Sequence, residues 1–277
     1  MSQIVNSVAT ATLVLFGINA YAGSAEQITP MAGNPNILRW AAGQIEYRTI
    51  SNNAIRGYEQ WHMTVYADGT RSLYSQENNF ATLSVRESTY VVDSDFRPVS
   101  LYEQLWVEGT HRGTGWFSVE PGQVRALVFR EDVGHIAQDL RRPSKMVMVA
   151  HSLATDGWIG ALVEERPGQN NAVSAYVVDP YGKSSGSIIG QIQTLNIEFV
   201  GDETITVPAG TFDTKHFRIV DASADYWIMG NDKILVKYAY TKSDREYVLL
   251  GLATGSTEPV SDVKKKGNPP IFRGAEK

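Results

Sequence analysis

The sequence of 277 residues contains no cysteine. This excludes disulfide bonds, cysteine-ligated zinc sites, iron–sulfur clusters and thiol nucleophiles. Long apolar runs are missing too, whereas a membrane-spanning helix needs about 20 consecutive, mostly apolar residues. We therefore expect no stable membrane span.

The chain also lacks an excess of positive charge. It carries 25 Lys and Arg against 30 Asp and Glu, for a net charge of −5, and the two signs are mixed along its length. Proteins that bind nucleic acid usually present a basic patch or stripe. This balance predicts that no nucleic acid is a partner.

Motifs that hold metals or cofactors are absent as well. The five histidines form no H-x-H, H-x-x-x-H or H-E-x-x-H pair, so no metal site is predicted. Residues 182–186, GKSSG, match the end of a phosphate-binding loop, but that loop needs glycine at position 177, where Val177 stands. We interpret the segment as a flexible turn and predict no cofactor.

Apolar and aromatic residues, in contrast, are abundant. Hydrophobic residues make up 43% of the chain and aromatic residues 10%, with six Trp and thirteen Tyr. This composition is typical of an ordered globular protein with a sizeable core. No shift in composition separates two halves, which favours one large domain.

The N-terminal segment has features of an export signal. Residues 8–18 are mostly apolar, and Ala20-Tyr21-Ala22 fits the small-x-small cleavage pattern. The first basic residue is Arg39, so the usual positive charge at the start of a signal peptide is missing. We predict a signal peptide at 1–22, a linker at 23–36, and a periplasmic or secreted protein. A short core helix in a cytoplasmic protein is the alternative.

Alternating residues and turn signals predict antiparallel strands. In residues 58–66, Trp61, Met63 and Val65 alternate with polar residues, and Asp68-Gly69 predicts a hairpin tip. Further strands are predicted at Gln44–Arg48, Arg71–Gln76, Ala81–Val92, Val99–Val107, Gly115–Val119 and Val124–Arg130.

The middle of the chain lacks this alternation. We interpret residues 131–160 as a long connection that could include one short helix, and residues 166–192 as an excursion rich in Gly, Ser and Asn. The composition of residues 252–277 is typical of a flexible tail. A β-barrel-like domain is predicted at 37–251.

Residues 197–250 predict an antiparallel meander. Strand-like runs are separated by four polar clusters that we interpret as turns, and Asn231-Asp232 is predicted to be a hairpin tip. The clusters are Gly201-Asp202, Pro208-Ala209-Gly210, Gly230-Asn231-Asp232 and Lys242-Ser243-Asp244. The predicted fold class is all-β with minor α content, with a single strongly curved antiparallel sheet that forms a half-open or closed β-barrel.

The same stretch resembles a bacterial exported β-rich domain family of unknown function. The hairpin EtItVPAGtF at 203–212, the Trp-containing strand Tyr226-Trp227-Ile228 and the turn Asp232-Lys233-Ile234 match motifs of that family. Residues 43–47, GQIEY, are similar to its first strand. The resemblance implies a half-open β-barrel similar in shape to the periplasmic lipoprotein carriers, and it implies no activity.

Residues 151–158, HSLATDGW, form the strongest candidate for a site. They place an imidazole, a carboxylate and an indole together, so His151 and Asp156 are candidate catalytic residues if the protein is an enzyme. Alternatively, Asp156 and Gly157 only form a turn and Trp158 enters the core. Candidate ligand-binding residues are His62, Trp158, His216, Tyr226 and Trp227.

Two geometric expectations follow from this hypothesis. Because neighbouring strand residues point to opposite faces, only one of Tyr226 and Trp227 can face the interior, and we expect Trp227 to do so. We also expect His151 and Asp156 to open onto the same cavity as at least one of His62 and His216.

Three functions are compatible with these features. The first is an envelope binding or carrier protein that holds an apolar, aromatic or amphipathic small molecule in the barrel. The second is a lyase, hydratase or isomerase without a cofactor, and the third is a structural envelope module that binds protein partners through a sheet edge. A large apolar cavity would favour the first two, and a filled interior would favour the third. The sequence gives no prediction of the oligomeric state.

Overall fold

The computed structural model describes residues 36–178 and 188–256. These residues form one sheet of fifteen strands. The strands are β1 (Ile37–Thr49), β2 (Ile55–Tyr66), β3 (Arg71–Asn79), β4 (Ser84–Val92), β5 (Pro98–Val107), β6 (Thr110–Glu120), β7 (Gln123–Arg130), β8 (Gly134–Arg141), β9 (Met146–Val149), β10 (Asn170–Val178), β11 (Gly190–Val207), β12 (Gly210–Ile219), β13 (Ala224–Met229), β14 (Ile234–Tyr240) and β15 (Arg245–Ser256). The helices are α1 (Leu153–Asp156) and the 3-10 helices Gly157–Leu162 and Thr241–Ser243.

The order of the strands places the two ends of the described chain at the middle of the sheet. β1 pairs with β15, and the sheet runs outward from β1 to β8 on one side and from β15 to β9 on the other. Neighbouring strands are antiparallel except β9 and β10, which are parallel. The edges β8 and β9 are not paired with each other, so the barrel is half-open. The predicted all-β class with one curved sheet is confirmed, although the sheet is mixed at one edge.

Alternation along the strands separates an inner from an outer face. In β2, Trp61, Met63 and Val65 are buried, as their spacing predicts. In β7, Val124, Ala126 and Val128 are buried between exposed neighbours. The apolar side chains of the inner face form a single core cluster, which is the main source of stability for a folded domain.

Both predicted hairpin tips are confirmed. Asp68-Gly69 lies between β2 and β3, and Asn231-Asp232 lies between β13 and β14. The turn predicted at Gly201-Asp202 is wrong, because β11 continues through these residues with a bulge between Phe199 and Gly201. A bulge and a turn both favour glycine, so the two share a sequence signal.

The middle of the chain contains more regular structure than its sequence indicates. Residues 131–160 include β8 and β9 as well as the expected short helix, and the predicted excursion at 166–192 includes β10 and the start of β11. β15 continues to Ser256, beyond the predicted domain end at residue 251. The predicted signal peptide and linker, the segment 182–186 and the tail after Ser256 lie outside the described residues.

Between β9 and β10 the chain passes through the interior of the barrel. This segment, 150–163, is called the plug here, and residues 152–160 in it are all buried. The ring of Trp158 packs 5.3 Å from that of Tyr90, and its indole Nε1 donates a hydrogen bond to the carbonyl of Asp232 (3.1 Å). Trp158 thus enters the core, which was the alternative considered for it.

An ion-pair network fixes the hairpin tips at this end of the barrel. Asp232 accepts two hydrogen bonds of 2.6 Å from Arg39 and one of 3.0 Å from Arg71, whose guanidinium lies 4.0 Å from the centre of the Phe96 ring. Burial opposes ionisation of Asp232, but the two arginines hold its pKa below the usual value. The barrel is therefore filled by the plug at the end where these tips lie.

Candidate functional site

A cavity of about 520 Å³ lies at the opposite end of the barrel. Its wall consists of strand ends from both halves of the sheet, and its floor is the plug, through residues such as Leu153 and Ile159. Exposed residues at its rim, among them Ala222 and Arg245, connect the cavity to the surface. The half-open barrel therefore forms a cup.

Four tyrosines form one side of the cup: Tyr47, Tyr238, Tyr240 and Tyr247. The ring of Tyr247 stands at 88° to Tyr47, 87° to Tyr238 and 83° to Tyr240, with centroid distances of 4.7, 6.3 and 6.2 Å. Tyr238 and Tyr240 are stacked at 4.7 Å, and their hydroxyls are hydrogen-bonded at 3.0 Å. We call this set the tyrosine wall, and its ring planes run in two directions.

Asp156 lies in the floor of the cavity, at the last position of α1. The residue is 4% exposed, and its Oδ1 has no hydrogen-bond partner within the described part of the chain. Burial, and secondarily the nearby charge of Glu59, raises the pKa of Asp156 well above its usual value. A buried polar atom without a partner costs about 1–3 kcal/mol, so it indicates a missing contact.

His151 lies beside Asp156 on the same cavity, half-buried. Its backbone has φ of 54°, in the left-handed region that residues other than glycine rarely occupy. Such conformations cost about 1–3 kcal/mol and are concentrated at functional sites. The turn at His151 directs the chain from β9 into α1, so it also positions Asp156.

Beneath the floor, Glu59 holds the plug in place. Its carboxylate accepts hydrogen bonds from the hydroxyls of Tyr47 (2.8 Å) and Ser152 (2.7 Å) and from the backbone N–H groups of Leu153 (2.9 Å) and Ala154 (3.1 Å). Burial raises the pKa of Glu59, and these four donors act in the opposite direction. A carboxylate at the N-terminus of a helix satisfies backbone N–H groups that would otherwise lack partners.

A row of charged residues lines the wall on the other side. Glu77 of β3 is directly opposite Glu59 on β2 and Arg86 on β4. Arg86 also donates a hydrogen bond to the buried Glu103 of β5 (3.2 Å). Burial raises the pKa of Glu77 and of Glu103 to about 7, against the opposing effect of Arg86. The wall can therefore take up or release protons near neutral pH.

Of the residues predicted for the site, the structure brings His151 and Asp156 together on the cavity. Trp158 and Tyr226 lie in the core, where Tyr226 is 0% exposed. His62 and His216 lie on the outer face, because their strand neighbours Met63 and Phe217 occupy the inner one. The expectation that one of these histidines opens onto the same cavity is wrong.

The expected orientation of Trp227 is also wrong. Tyr226 is the inward residue of the pair, and its ring stacks on Phe217 at 5.2 Å. Trp227 lies on the outer face, where its ring stacks on His216 at 4.3 Å and its Nε1 donates a hydrogen bond to Glu203 (2.7 Å). Outside, the indole N–H has an acceptor, which favours this orientation over burial.

Several residues at the site were not predicted, although the sequence carries a signal for some of them. Glu59 is in phase with Trp61 and Met63, which marks it as an inward carboxylate. Tyr238 and Tyr240 are two apart on one strand and therefore share a face. The contacts of Glu77 and Arg86 depend on register between strands, which a single sequence does not specify.

In the described ranges, no group of three or more His, Asp or Glu side chains is arranged to hold a metal ion. Likewise, none of the described helices is both long and apolar enough to cross a membrane. The lining of the cavity carries carboxyl, phenol, imidazole, guanidinium, hydroxyl and amide groups.

No protein-family model matches the chain, and no curated protein matches it. Among solved structures, the chain is similar to a β-barrel-like protein of the DUF1849 family, a domain of unknown function, from Brucella abortus. That match has 9% identity and a TM-score of 0.45, and it covers 78% of this chain and 97% of that one. A DUF1089 family protein from Pseudomonas aeruginosa is similar at 8% identity with a TM-score of 0.40, over 65% of this chain and 89% of that one.

Proposed function

We propose that the protein is a binding or carrier protein that holds an apolar or amphipathic small molecule in the cup of the barrel. The observation that carries this proposal is the cavity of about 520 Å³ between the tyrosine wall and the plug. Pockets for small molecules typically have volumes of about 300–1,000 Å³, mostly apolar walls and few polar groups. The cup has a volume in this range. Its lining combines aliphatic residues and the tyrosine wall with polar and charged side chains, among them Glu77, His151 and Asp156.

The rigidity of the surroundings supports the same function. The floor is fixed by the four hydrogen bonds to Glu59, and the wall belongs to continuous strands. A preformed cavity loses little conformational entropy when a ligand binds, which favours affinity. The cavity also supports the first two functional hypotheses over the third, which a filled interior would have favoured.

The proposal is tested with N-phenylnaphthylamine, an uncharged amphipathic probe whose fluorescence increases in apolar surroundings. We expect one site per chain with a dissociation constant on the order of micromolar. Val107→Trp, at the end of β5 on the cavity wall, should abolish binding by filling the cavity. The matched control is Val99→Trp on the exposed side of the same strand, which should bind as the wild type does. Equal binding by both variants would place the probe elsewhere and refute the proposal.

A cofactor-independent lyase, hydratase or isomerase is the second candidate. The observation that favours it is the placement of His151, with its left-handed backbone, beside Asp156 on one cavity. A general base and a carboxyl group together can move protons without a metal. Turnover of a bound compound, lost in His151→Gln with its binding retained, would support this function.

We also propose a location in the cell envelope, which rests on the N-terminal pattern of residues 1–22. Intact-mass measurement of the protein from a host that exports it tests this proposal. A mass without residues 1–22 is expected, and a mass that retains them would argue for the cytoplasm.

A further inference from the structure

The contact missing at Asp156 indicates what kind of molecule the cup accepts. Its Oδ1 is buried, has no partner in the described ranges, and belongs to a residue that lines the cavity. The groups that interact with it electrostatically are neutral phenols and one carboxyl group: Tyr90, Tyr226, Tyr238, Tyr240 and Glu59. His151 and Arg245 also line this cavity, and Arg245 is paired with Tyr240 on the neighbouring strand. Neither an arginine nor a lysine is among the groups that shift the pKa of Asp156.

The cations elsewhere on the cavity do not compensate Asp156. Arg86 is engaged by Glu103 and faces Glu77 across the strand pair. Arg245 is exposed at the rim. Among the described residues, Asp156 in the floor beside the tyrosine wall therefore has no arginine or lysine as an ionic partner.

Aromatic rings around a carboxylate form a recognised type of site for organic cations. The negative face of a phenol ring attracts an ammonium group within about 6 Å of its centre, and the attraction is stronger where water is excluded. Tyr238 and Tyr240 interact electrostatically with Asp156. Tyr247 stands nearly perpendicular to both rings, so the wall beside this carboxyl presents rings in two orientations. A carboxylate then supplies both a counter-charge and a hydrogen-bond acceptor.

We propose that the cup selects amphipathic molecules with an organic ammonium group, which Asp156 and the tyrosine wall receive while the apolar part contacts Leu105, Val107 and Ile159. This inference rests on the proposed binding function and adds the class of ligand. The buried acceptor without a partner among the described residues, and the absence of an arginine or lysine among the groups that act on Asp156, are the observations that favour an ammonium head group.

Recognition of an ammonium by Asp156 has a consequence for protons. Burial raises the pKa of this carboxyl in the empty cavity, so an entering ammonium displaces a proton from it. Binding should release a proton at neutral pH, and affinity should increase as pH rises towards the pKa of the ligand's own amine. The tyrosines around Asp156 remain neutral in this range, because burial raises the pKa of each of them too.

The test compares octylammonium, octanol and octanoate, which share one chain and differ in the head group. Each displaces N-phenylnaphthylamine from the full-length protein, and calorimetry in two buffers of different ionisation enthalpy counts the protons released. We expect octylammonium to bind about tenfold more tightly than octanol, and octanoate to bind most weakly.

Variants assign the preference to a residue. Asp156→Asn keeps the shape and removes the charge, and should reduce the preference for octylammonium to about twofold or less. Glu87→Gln, a carboxyl group outside the cavity, is the control and should retain the preference. An unchanged preference in Asp156→Asn would overturn the inference. If the variant does not fold, the comparison of the three head groups in the wild-type protein still tests whether the cup prefers an ammonium group.

The outcomes separate the two proposals. If the uncharged probe binds in the cup but octanol or octanoate binds as tightly as octylammonium, the inference about ammonium is wrong and the binding function stands. If neither the probe nor any octyl compound binds, both are wrong.

Discussion

Glu59 shows how one buried carboxylate can position a whole segment. Four donors converge on it, two of which are backbone N–H groups at the start of α1. Hydroxyl groups can rotate towards another acceptor, whereas these N–H groups are fixed by the chain. The position of the plug, and hence of Asp156, depends on this residue.

We predict that Glu59→Gln destabilises the protein by on the order of 2–3 kcal/mol. One oxygen of Glu59 accepts from Ala154 and the other from Leu153. Whichever oxygen the amide nitrogen replaces, one backbone N–H then faces another donor. Urea unfolding measures the change. Glu87→Gln, which only loses an exposed hydrogen bond to Gln76, should change stability by less than about 0.5 kcal/mol.

Stability should depend on pH because of the carboxyl groups in the wall. The pKa of Glu77 and of Glu103 is raised from 4.5 to about 7 in the folded protein. The folded state therefore binds more protons than the unfolded state between these values, and its stability is lost as pH rises from about 4.5 to 7. The contribution of Asp232 has the opposite sign and is lost only below its usual pKa of 3.8.

Glu103→Gln should reduce this decline in stability by on the order of 2 kcal/mol, because its amide does not titrate. Urea unfolding at pH values below and above this window measures it. The control is Glu131→Gln, an exposed residue paired with Arg112, which should retain the wild-type slope. The same slope in Glu103→Gln would show that Glu103 does not carry the effect.

At the scale of elements, the plug depends on a close approach of two backbones. A Cβ at Gly157 would lie 2.2 Å from the carbonyl oxygen of Lys233, in the turn between β13 and β14. Backbone on both sides leaves no flexible side chain to move away. Glycine at this position is therefore required by packing and not by an unusual φ.

Gly157→Ala should destabilise the protein by about 2 kcal/mol or more, although alanine is the better helix former. Gly251→Ala is the control, because a Cβ there meets nothing within 4 Å, and it should change stability by less than about 1 kcal/mol. Thermal unfolding compares the two. Equal losses of stability in the two variants would contradict the close approach of the backbones at Gly157 and Lys233.

The gap between the edges of the sheet is bridged by side chains. The hydroxyl of Tyr176 on β10 donates to Gln138 Oε1 on β8 (2.8 Å) and accepts from the backbone N–H of Gly190 (3.0 Å). The amide of Gln138 in turn donates to the carbonyl of Gly190 (3.0 Å). These side-chain hydrogen bonds thus link β8 to β10 and β11, with which it forms no ladder of backbone hydrogen bonds.

Tyr176→Phe should open this connection and cost about 1–2 kcal/mol. Hydrogen exchange should become faster in residues 134–141 and unchanged in β1, at the centre of the sheet. Tyr74→Phe, at an exposed position, should have no such effect. Unchanged exchange in β8 after Tyr176→Phe would mean that the edge is held by other contacts.

The sequence predicted the elements whose signals are local. Asp68-Gly69 and Asn231-Asp232 specify hairpins through their turn residues, and the alternation of Trp61, Met63 and Val65 indicates their face. The position of β8 and β9 was missed. β9 has only four residues, and three neighbouring ones are buried, so it shows no alternation that a sequence pattern could reveal.

The site was predicted in part for the same reason. His151 and Asp156 are close in sequence, so a local segment could indicate them. The tyrosine wall and the charged row combine residues from strands far apart in the chain, and their meeting depends on the pairing of β1 with β15 at the centre of the sheet. Trp227 was placed inside because of its size, whereas the hydrogen bond of its indole to Glu203 favours the outside.

For the whole molecule, the arrangement of the sheet explains why one cup exists. The strand order carries the chain outward from β1 to β8, and the plug then returns through the interior before the second half of the sheet is completed. The plug fills one end of the barrel and leaves the other as a cavity. Binding in this cavity is the central claim about the molecule.

The most direct test is methyl NMR spectroscopy of the protein titrated with N-phenylnaphthylamine, because methyl groups report where the probe lies. We expect chemical-shift changes at the methyl groups that line the cup and none at those on the outer surface. The lining set includes Leu105, Val107, Leu153 and Ile159, and the outer set includes Val99 and Leu127. Shifts confined to Val99, Leu127 and their neighbours, with the lining set unchanged, would contradict binding in the cup.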